Sequence, residues 1–300
     1  MNSTDTKRAV VGVVGLGLVG QALSARLLAA GFAVTGFDVR ADAGAALAAA
    51  GAEIAGSSEA VGRRADCVVL AVFDTTDVVA VLEGANGLLA AGHRVRTVID
   101  CSTGEPDRLA ALAERLARRG IAFVEGPLSG SSRQIAGGEA TQLLGGDADA
   151  IARIAAVLDA LSPRRIHVGP VGAAARAKLA TNLVLGLNRA ALAEGMVFAQ
   201  AVGIDAETFL QLVLATPARS AAAEAKGDMM VRGEFTPQSR IRQHLKDVDL
   251  MLAAARSAGQ DLPLSEVHAR LMRDAVAAGD GELDNAAIIR QFRRELFPSN

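Results

Sequence analysis

Val10-Val11-Gly12-Val13-Val14 runs straight into Gly15-Leu16-Gly17-Leu18-Val19-Gly20, and a second apolar segment, Ala33 to Phe37, ends at Asp38. An apolar β-branched run, a tight glycine turn, a small-residue helix from Gln21 to Ala30 and a further strand closing on an acid give the order strand, G-x-G-x-x-G, helix, strand, Asp. Each glycine has a mechanical task. Gly15 makes the turn, Gly17 lets the backbone approach a pyrophosphate, and Gly20 lets the helix sit close to the strand. The free N–H groups at the helix start are then offered to phosphates. Glycine-rich turns also arise by chance, but here the flanking strands and helix supply the context that a dinucleotide site needs. Asp38 stands where a ribose-binding acid belongs, so NAD is expected. Arg40, a guanidinium two residues on, keeps NADP open.

A chain of 300 residues suggests about two domains. Its 31 basic and 33 acidic residues leave a net charge of -2, without long single-sign blocks, which points away from nucleic acid and membrane surfaces. Met1 to Arg8 is polar, with no apolar h-region, and only Met1–Lys7 reads as a loose tail. Apolar stretches elsewhere are interrupted within membrane-span length, so a soluble cytoplasmic protein is expected. Cys67 and Cys101 adjoin apolar runs and read as small buried thiols. His93, His167, His244 and His268 lack ligand-like spacing, so no metal site is expected. The absence of Trp and Tyr removes base-stacking platforms and phenolic acid catalysts together.

From Val10 to Val168 short apolar strands alternate with Ala/Leu-rich helical stretches. The expected strands are Ala9–Val14, Ala33–Phe37, Cys67–Val72, Thr97–Asp100, Ala122–Glu125, Gln142–Gly145 and Arg165–Val168, with helices such as Asp107–Arg119 and Asp149–Leu161 between them. Such alternation implies a mostly parallel sheet covered on both faces. After Gly169-Pro170-Val171-Gly172 the pattern changes. Ala173 to Ala201 reads as one helix of roughly 40 Å, followed by helical segments Ala206–Ala215, Gln243–Ala258, Leu264–Ala278 and Asn285–Phe292, with no further strand. The expected architecture is α/β: an N-terminal Rossmann dinucleotide-binding domain over 8–169, then an all-α domain over 170–300 entered through the long helix. Leu179, Leu183, Val184, Leu187, Leu192, Met196 and Val197 spread around that helix. It must be enclosed by other helices, and a homodimer or homotetramer follows as an expectation.

Four further segments are candidates for chemistry. Lys178 and Asn182 lie four apart on the long helix and share a face, though an ordinary solvated lysine near a helix start has the same spacing. Glu125-Gly126-Pro127-Leu128-Ser129-Gly130-Ser131-Ser132 leaves a strand in a small polar turn able to present N–H groups and hydroxyls to an anion, or serves as a plain surface loop. Ser102 or Thr103, after the strand at Asp100, reads as a helix cap with Pro106 in the first turn. Lys246-Asp247 reads as a charged pair on a solvated helix.

Taken in order, these segments resemble the β-hydroxyacid dehydrogenase family, which includes 3-hydroxyisobutyrate dehydrogenase and tartronate semialdehyde reductase, from Val10 to about Arg290. Gly15-Leu16-Gly17-Leu18-Val19-Gly20 is similar to the family's G-L-G-x-M-G turn. Glu125-Gly126-Pro127-Leu128-Ser129-Gly130-Ser131 is similar to its D-A-P-V-S-G-G substrate loop, and the register continues through Gly138 and Thr141 to Gly145-Gly146. Lys178-Leu179-Ala180-Thr181-Asn182 is similar to K-x-x-N-N, and Lys246-Asp247 to its K-D pair. The resemblance implies that Gly15 through Gly20, Asp38, Thr103 and Lys246 bind the cofactor. Ser129 and Gly130, with Ser131 and Arg133 beside them, would meet the substrate, Asn182 would orient it, and Lys178 would exchange its proton.

Three departures bear on the substrate. Thr181 stands for the first asparagine, Ser131 for the second loop glycine, and Arg133-Gln134 for a small G-A pair, so bulk and a guanidinium replace small residues beside the loop. The resemblance therefore implies an oxidoreductase that moves a hydride between a nicotinamide cofactor and a β-hydroxy acid or its semialdehyde, a small carboxylate-bearing substrate. Imine reductases share the architecture but usually lack the lysine at position 178. A non-catalytic dinucleotide-binding scaffold of the same fold would be expected to lose Lys178 or Asn182. A phosphogluconate dehydrogenase would need a longer helical domain.

Overall fold

In the computed structural model, residues 9–296 are described. The polar stretch Met1–Arg8, with its expected tail, lies outside them. The chain divides into two compact units, one ending at Lys178 and the other beginning at Leu179, so the first turns of the long helix belong with the sheet.

Strands β1 (Val10–Val14), β2 (Ala33–Phe37), β3 (Glu53–Ile54), β4 (Cys67–Leu70), β5 (Thr97–Asp100), β6 (Ala122–Glu125), β7 (Leu128–Ser129), β8 (Thr141–Gly145) and β9 (Arg164–Gly169) form one sheet. Its order is β3-β2-β1-β4-β5-β6-β8-β7, with β9 also on β8. From β3 to β6 every pairing is parallel, the order 3-2-1-4-5-6 of a doubly wound dinucleotide-binding sheet. Strand β8 then runs antiparallel to β6 and β7.

Period-two alternation explains why both faces are covered. Val69, Ile99 and Val124 enter one core with Leu23 and Leu27 of the helix Leu18–Ala29. Their neighbours Val68, Leu70, Val98 and Phe123 enter the other, with Leu109, Leu112 and Leu116 of Pro106–Ala117. Those three leucines follow helical spacing on a polar segment, so burying the stripe holds the helix to the sheet.

Three of the differences between expected and observed elements have a local physical reason. Asp149–Leu161 is two helices, Ala148–Arg153 and Ala155–Leu161, because Ile154 leaves the helical region at φ -109°, ψ 17° and buries its side chain in the core. Asn285–Phe292 opens as a 3₁₀ turn, Asn285–Ile288, before the helix Ile289–Leu296. Ala221–Arg232 is a helix that its Ala/Gly composition had not marked, capped by the Ser220 hydroxyl accepting from the Ala223 N–H.

In the second unit Leu192, Ala193, Met196 and Val197 of the long helix Ala173–Ala201 join one core with Leu210, Met230 and Met272. Leu179 joins another with Val248, Met251 and Leu252. Among the described residues no strand follows β9, and no helix is long and apolar enough to cross a membrane.

Candidate active site

Parallel register brings Val14, Leu70, Asp100 and Glu125, the last residues of β1, β4, β5 and β6, into one row across the sheet. Phe37 pairs with Val14, so Asp38 leaves β2 at the same level. Every loop carrying a candidate residue of this unit therefore starts from one edge, the carboxyl end where ligands bind in open α/β sheets.

The glycine turn has the shape that a dinucleotide requires. Gly15 takes φ +91°, and a Cβ there would run into the Ala71 carbonyl. At Gly20 a Cβ would strike the Gly15 carbonyl oxygen, so the helix can approach the strand only with glycine. At Gly17, by contrast, a Cβ would meet nothing within 4 Å, an open cradle on the outer side of the turn. Gly17 is also the N-cap of Leu18–Ala29 and supplies no side-chain acceptor. The N–H groups opened by Leu18, Val19 and Gly20 thus face the cradle as anion donors. These residues fit a pyrophosphate.

Asp38 stiffens the same turn, because its Oδ2 accepts the Leu16 N–H at 2.7 Å while its Oδ1 accepts the Arg40 N–H at 2.9 Å and Arg40 Nε at 3.3 Å. Burial works against its charge, yet these donors outweigh burial and hold the carboxyl below the usual carboxylate range. Asp38 is an ionised acceptor at neutral pH.

After β5, the expected capping by Ser102 or Thr103 is not what forms. Glu105 is the N-cap of Pro106–Ala117 and makes no side-chain cap. The Ser102 hydroxyl instead accepts from the Val72 N–H at 3.1 Å, tying two loops together, and Thr103 is half-buried beside it.

The loop after β6 is more ordered than a plain polar turn. Leu128–Ser129 pairs with β8, Gly130 turns at φ +156° where a Cβ would come within 2.8 Å of the Ala140 Cβ, and a short helix Ser132–Ala136 follows. Ser131 is its N-cap in a reciprocal capping box: its hydroxyl accepts from the Gln134 N–H, and its own N–H donates to Gln134 Oε1 at 2.8 Å. Ser131 thereby holds the loop's shape, and Arg133 is exposed on the helix turn that it caps.

Lys178 is buried, 7% exposed, and its Nζ donates to the Leu128 carbonyl at 2.6 Å. The solvated-lysine alternative is excluded. Glu125, read only as the first residue of the loop, turns out to anchor the same helix. Its carboxylate accepts the N–H groups of Gly172 at 2.7 Å, Ala174 at 3.1 Å and Ala175 at 3.3 Å, satisfying donors at the start of the long helix. Loop and lysine are thus clamped from both ends of the segment 125–128.

Burial pushes the Glu125 carboxyl up to about 7 against the pull of those three bonds, with the Asp100 charge adding to the rise. Between its ordinary 4.5 and about 7 the folded protein binds more protons than the unfolded chain. Stability contributed here is complete at low pH and is lost as pH rises through that window. Glu125→Gln should remove the slope, so that urea unfolding finds the variant gaining about 2 kcal/mol on wild type between about pH 5 and about pH 8. A difference independent of pH would refute the assignment.

In the second unit Asn182, one turn beyond Lys178 on the unbroken helix, is 6% exposed. Its Nδ2 donates to Asp247 Oδ2 at 3.0 Å, which fixes the amide with Oδ1 directed away from the carboxylate. Lys246 Nζ lies 3.1 Å from Asp247 Oδ1, with side chains only 13% and 8% exposed, so this is not a solvated pair. Asp247, read in the sequence only as half of a charged pair, had been given no role at the site. The signal was its place in the stripe His244, Asp247, Val248, Met251, Leu252, which is buried throughout: a carboxylate on the apolar face of an amphipathic helix requires a partner. Among the described residues no group of three His, Cys, Asp or Glu side chains forms a candidate metal site.

Residues 10–169 match the family described as the NAD binding domain of 6-phosphogluconate dehydrogenase. Residues 172–292 match the one described as the NAD-binding domain of NADP-dependent 3-hydroxyisobutyrate dehydrogenase. The chain is 32% identical to an L-threonate dehydrogenase of Cupriavidus necator, over 84% of this chain and 83% of that protein. It is 28% identical to a 2-hydroxy-3-oxopropionate reductase of Escherichia coli K12, over 81% of this chain and 84% of that one. A crystal structure of a 3-hydroxyisobutyrate dehydrogenase from Salmonella typhimurium superposes with a TM-score of 0.85 at 28% identity, covering 94% of this chain and 99% of that one. With a glycine turn built for a dinucleotide and relatives of this kind along most of its length, the chain belongs to the β-hydroxyacid dehydrogenase family and carries that family's nicotinamide-cofactor-binding fold.

Proposed function

We propose that this protein is an NAD-dependent dehydrogenase or reductase acting on a β-hydroxy acid or the corresponding semialdehyde, with Lys178 as the group that exchanges the proton. The observation carrying this reading is the buried Lys178 Nζ, held 2.6 Å from the Leu128 carbonyl and so tied to the strand that continues into Ser129 and Gly130. A bound nicotinamide supplies the hydride acceptor or donor. The hydrogen bond to Leu128 aims the nitrogen at the loop, where it would serve a substrate oxygen. Ser129 and the backbone at Gly130 hold the substrate carboxylate. Asn182, its amide set by Asp247, accepts from or donates to the substrate hydroxyl without titrating. The L-threonate dehydrogenase and the 2-hydroxy-3-oxopropionate reductase are named for compact polar carboxylates, which supports that substrate class. Assaying hydroxy acids, sugar acids and semialdehydes for a change in reduced nicotinamide tests the proposal. Reduction of cyclic imines with no turnover of hydroxy acids would replace it with an imine reductase.

The preference for NAD rests on Asp38. Its ionised carboxylate has lone pairs left to accept a ribose 2′-hydroxyl and repels a 2′-phosphate, while the Arg40 guanidinium is drawn onto Asp38. kcat/KM should favour NAD over NADP by about tenfold or more. A clear NADP preference in the wild-type protein would end this part of the reading.

Arg133 sets substrate choice by pairing with a second anionic or strongly polar group on a substrate larger than hydroxyisobutyrate. Its exposure on the turn after Ser131 supports this role. Arg133→Ala should raise KM for the preferred substrate on the order of tenfold and leave cofactor affinity alone. Unchanged kinetics on that substrate would discard the role.

A further inference from the structure

The second unit contains a concavity of about 750 Å³ that the proposed chemistry does not use. Gln200 and Ala201, from the last turn of the long helix, and Phe235 line it opposite Arg290, Arg293 and Arg294. The three arginines are spaced i, i+3 and i+4 on the helix Ile289–Leu296 and therefore share one face.

Among the described residues one carboxylate pairs with this face. Asp280, 3% exposed, accepts from Arg290 Nη1 at 2.7 Å and forms an ion pair with Arg294 Nη2 at 2.9 Å, so two guanidinium groups divide one anion. Arg293 donates only to the Met230 carbonyl, at 3.4 Å, among the described residues, and burial lowers its pKa from the ordinary value. Arg294 Nη1 is buried with no hydrogen-bond partner among the described residues. Among the described lining residues the cavity thus carries three arginines, two of them paired with Asp280, and an orphaned N–H donor. Partly desolvated charge of this kind is costly unless an anion meets it. The guanidinium fork matches a carboxylate or phosphate through paired N–H bonds. Val197, Ala201 and Phe235 add an apolar wall, and the volume lies in the range of small-molecule sites.

We propose that this cavity binds a compact dianion, a phosphate or dicarboxylate group on a small organic body, at a site separate from the glycine turn. The guanidinium groups on the described wall call for a negatively charged ligand, and the apolar wall accepts its carbon skeleton.

Titration of the full chain with sodium phosphate and, separately, sodium succinate tests this. Ionic strength is held constant with sodium chloride, and NADH is kept saturating so that the nucleotide site is filled. Calorimetry should give saturable binding of at least one probe with Kd below about 1 mM, with a matching rise in Tm. The probe that binds identifies phosphate or dicarboxylate as the recognised group. Arg293→Gln should weaken binding at least about tenfold. Ala201→Glu, which keeps every arginine but adds a carboxylate at the wall, should abolish it and remains decisive if Arg293→Gln fails to fold. No saturable binding beyond the chloride control, or equal affinity in wild type and Ala201→Glu, would overturn the proposal.

Discussion

Lys178→Met is expected to lower kcat by roughly 10²-fold or more, the usual size of a general acid–base contribution, while the fold and NADH binding persist. Oxidising a hydroxyl by hydride loss leaves a proton that must go somewhere, and the chain has no tyrosine to take it. Methionine matches lysine in length and buries without an unpaired charge, so the loss reports chemistry more than packing. Lys178→Arg should fail as well. A guanidinium stays protonated, cannot accept the proton, and is too broad for a nitrogen seated 2.6 Å from the Leu128 carbonyl. Rapid turnover by Lys178→Met with cofactor bound would move the proton transfer to another group.

Gly17→Ala and Gly20→Ala should separate cofactor binding from folding. At Gly17, with φ -71°, alanine adopts the backbone without strain and its Cβ enters open space. Stability should stay within about 1 kcal/mol of wild type, while dinucleotide affinity falls on the order of 10²-fold because the methyl occupies the pyrophosphate's approach to the N–H donors. Gly20→Ala puts its methyl against the Gly15 carbonyl oxygen, a backbone contact that cannot rotate away. It should destabilise by about 1–3 kcal/mol or more. Equal NADH affinity in Gly17→Ala and wild type would show that the cradle is not where the pyrophosphate lies.

Where the fold was legible, local signals agreed with one another. Ala33–Phe37, Thr97–Asp100 and Ala122–Glu125 have the expected bounds because each apolar run is closed by an acid or a glycine. Ala173–Ala201 and Ala206–Ala215 also match, one entered through Gly172 and the other through an Asp205 cap. Strands of two residues, Glu53–Ile54 and Leu128–Ser129, were invisible because two residues carry no period. The capping box at Ser131 and Gln134 was written in the spacing S-x-x-Q and passed over because the loop looked merely polar. The contacts that build the candidate site are another matter. Glu125 reaches the helix start 47 to 50 residues away, and Asn182 meets Asp247 across 65. No local propensity encodes such pairings. They follow only once the sheet register and the helix packing are in place.

The central claim, hydride exchange with a carboxylate-bearing β-hydroxy acid or semialdehyde, is tested most directly by steady-state turnover of a hydroxy-acid and semialdehyde panel with NAD⁺ and NADH. At least one β-hydroxy acid or its semialdehyde should be turned over, and its analogue lacking the carboxylate should lose most of kcat/KM. Turnover indifferent to the carboxylate, or none on the panel by a protein that binds NADH, would contradict the account.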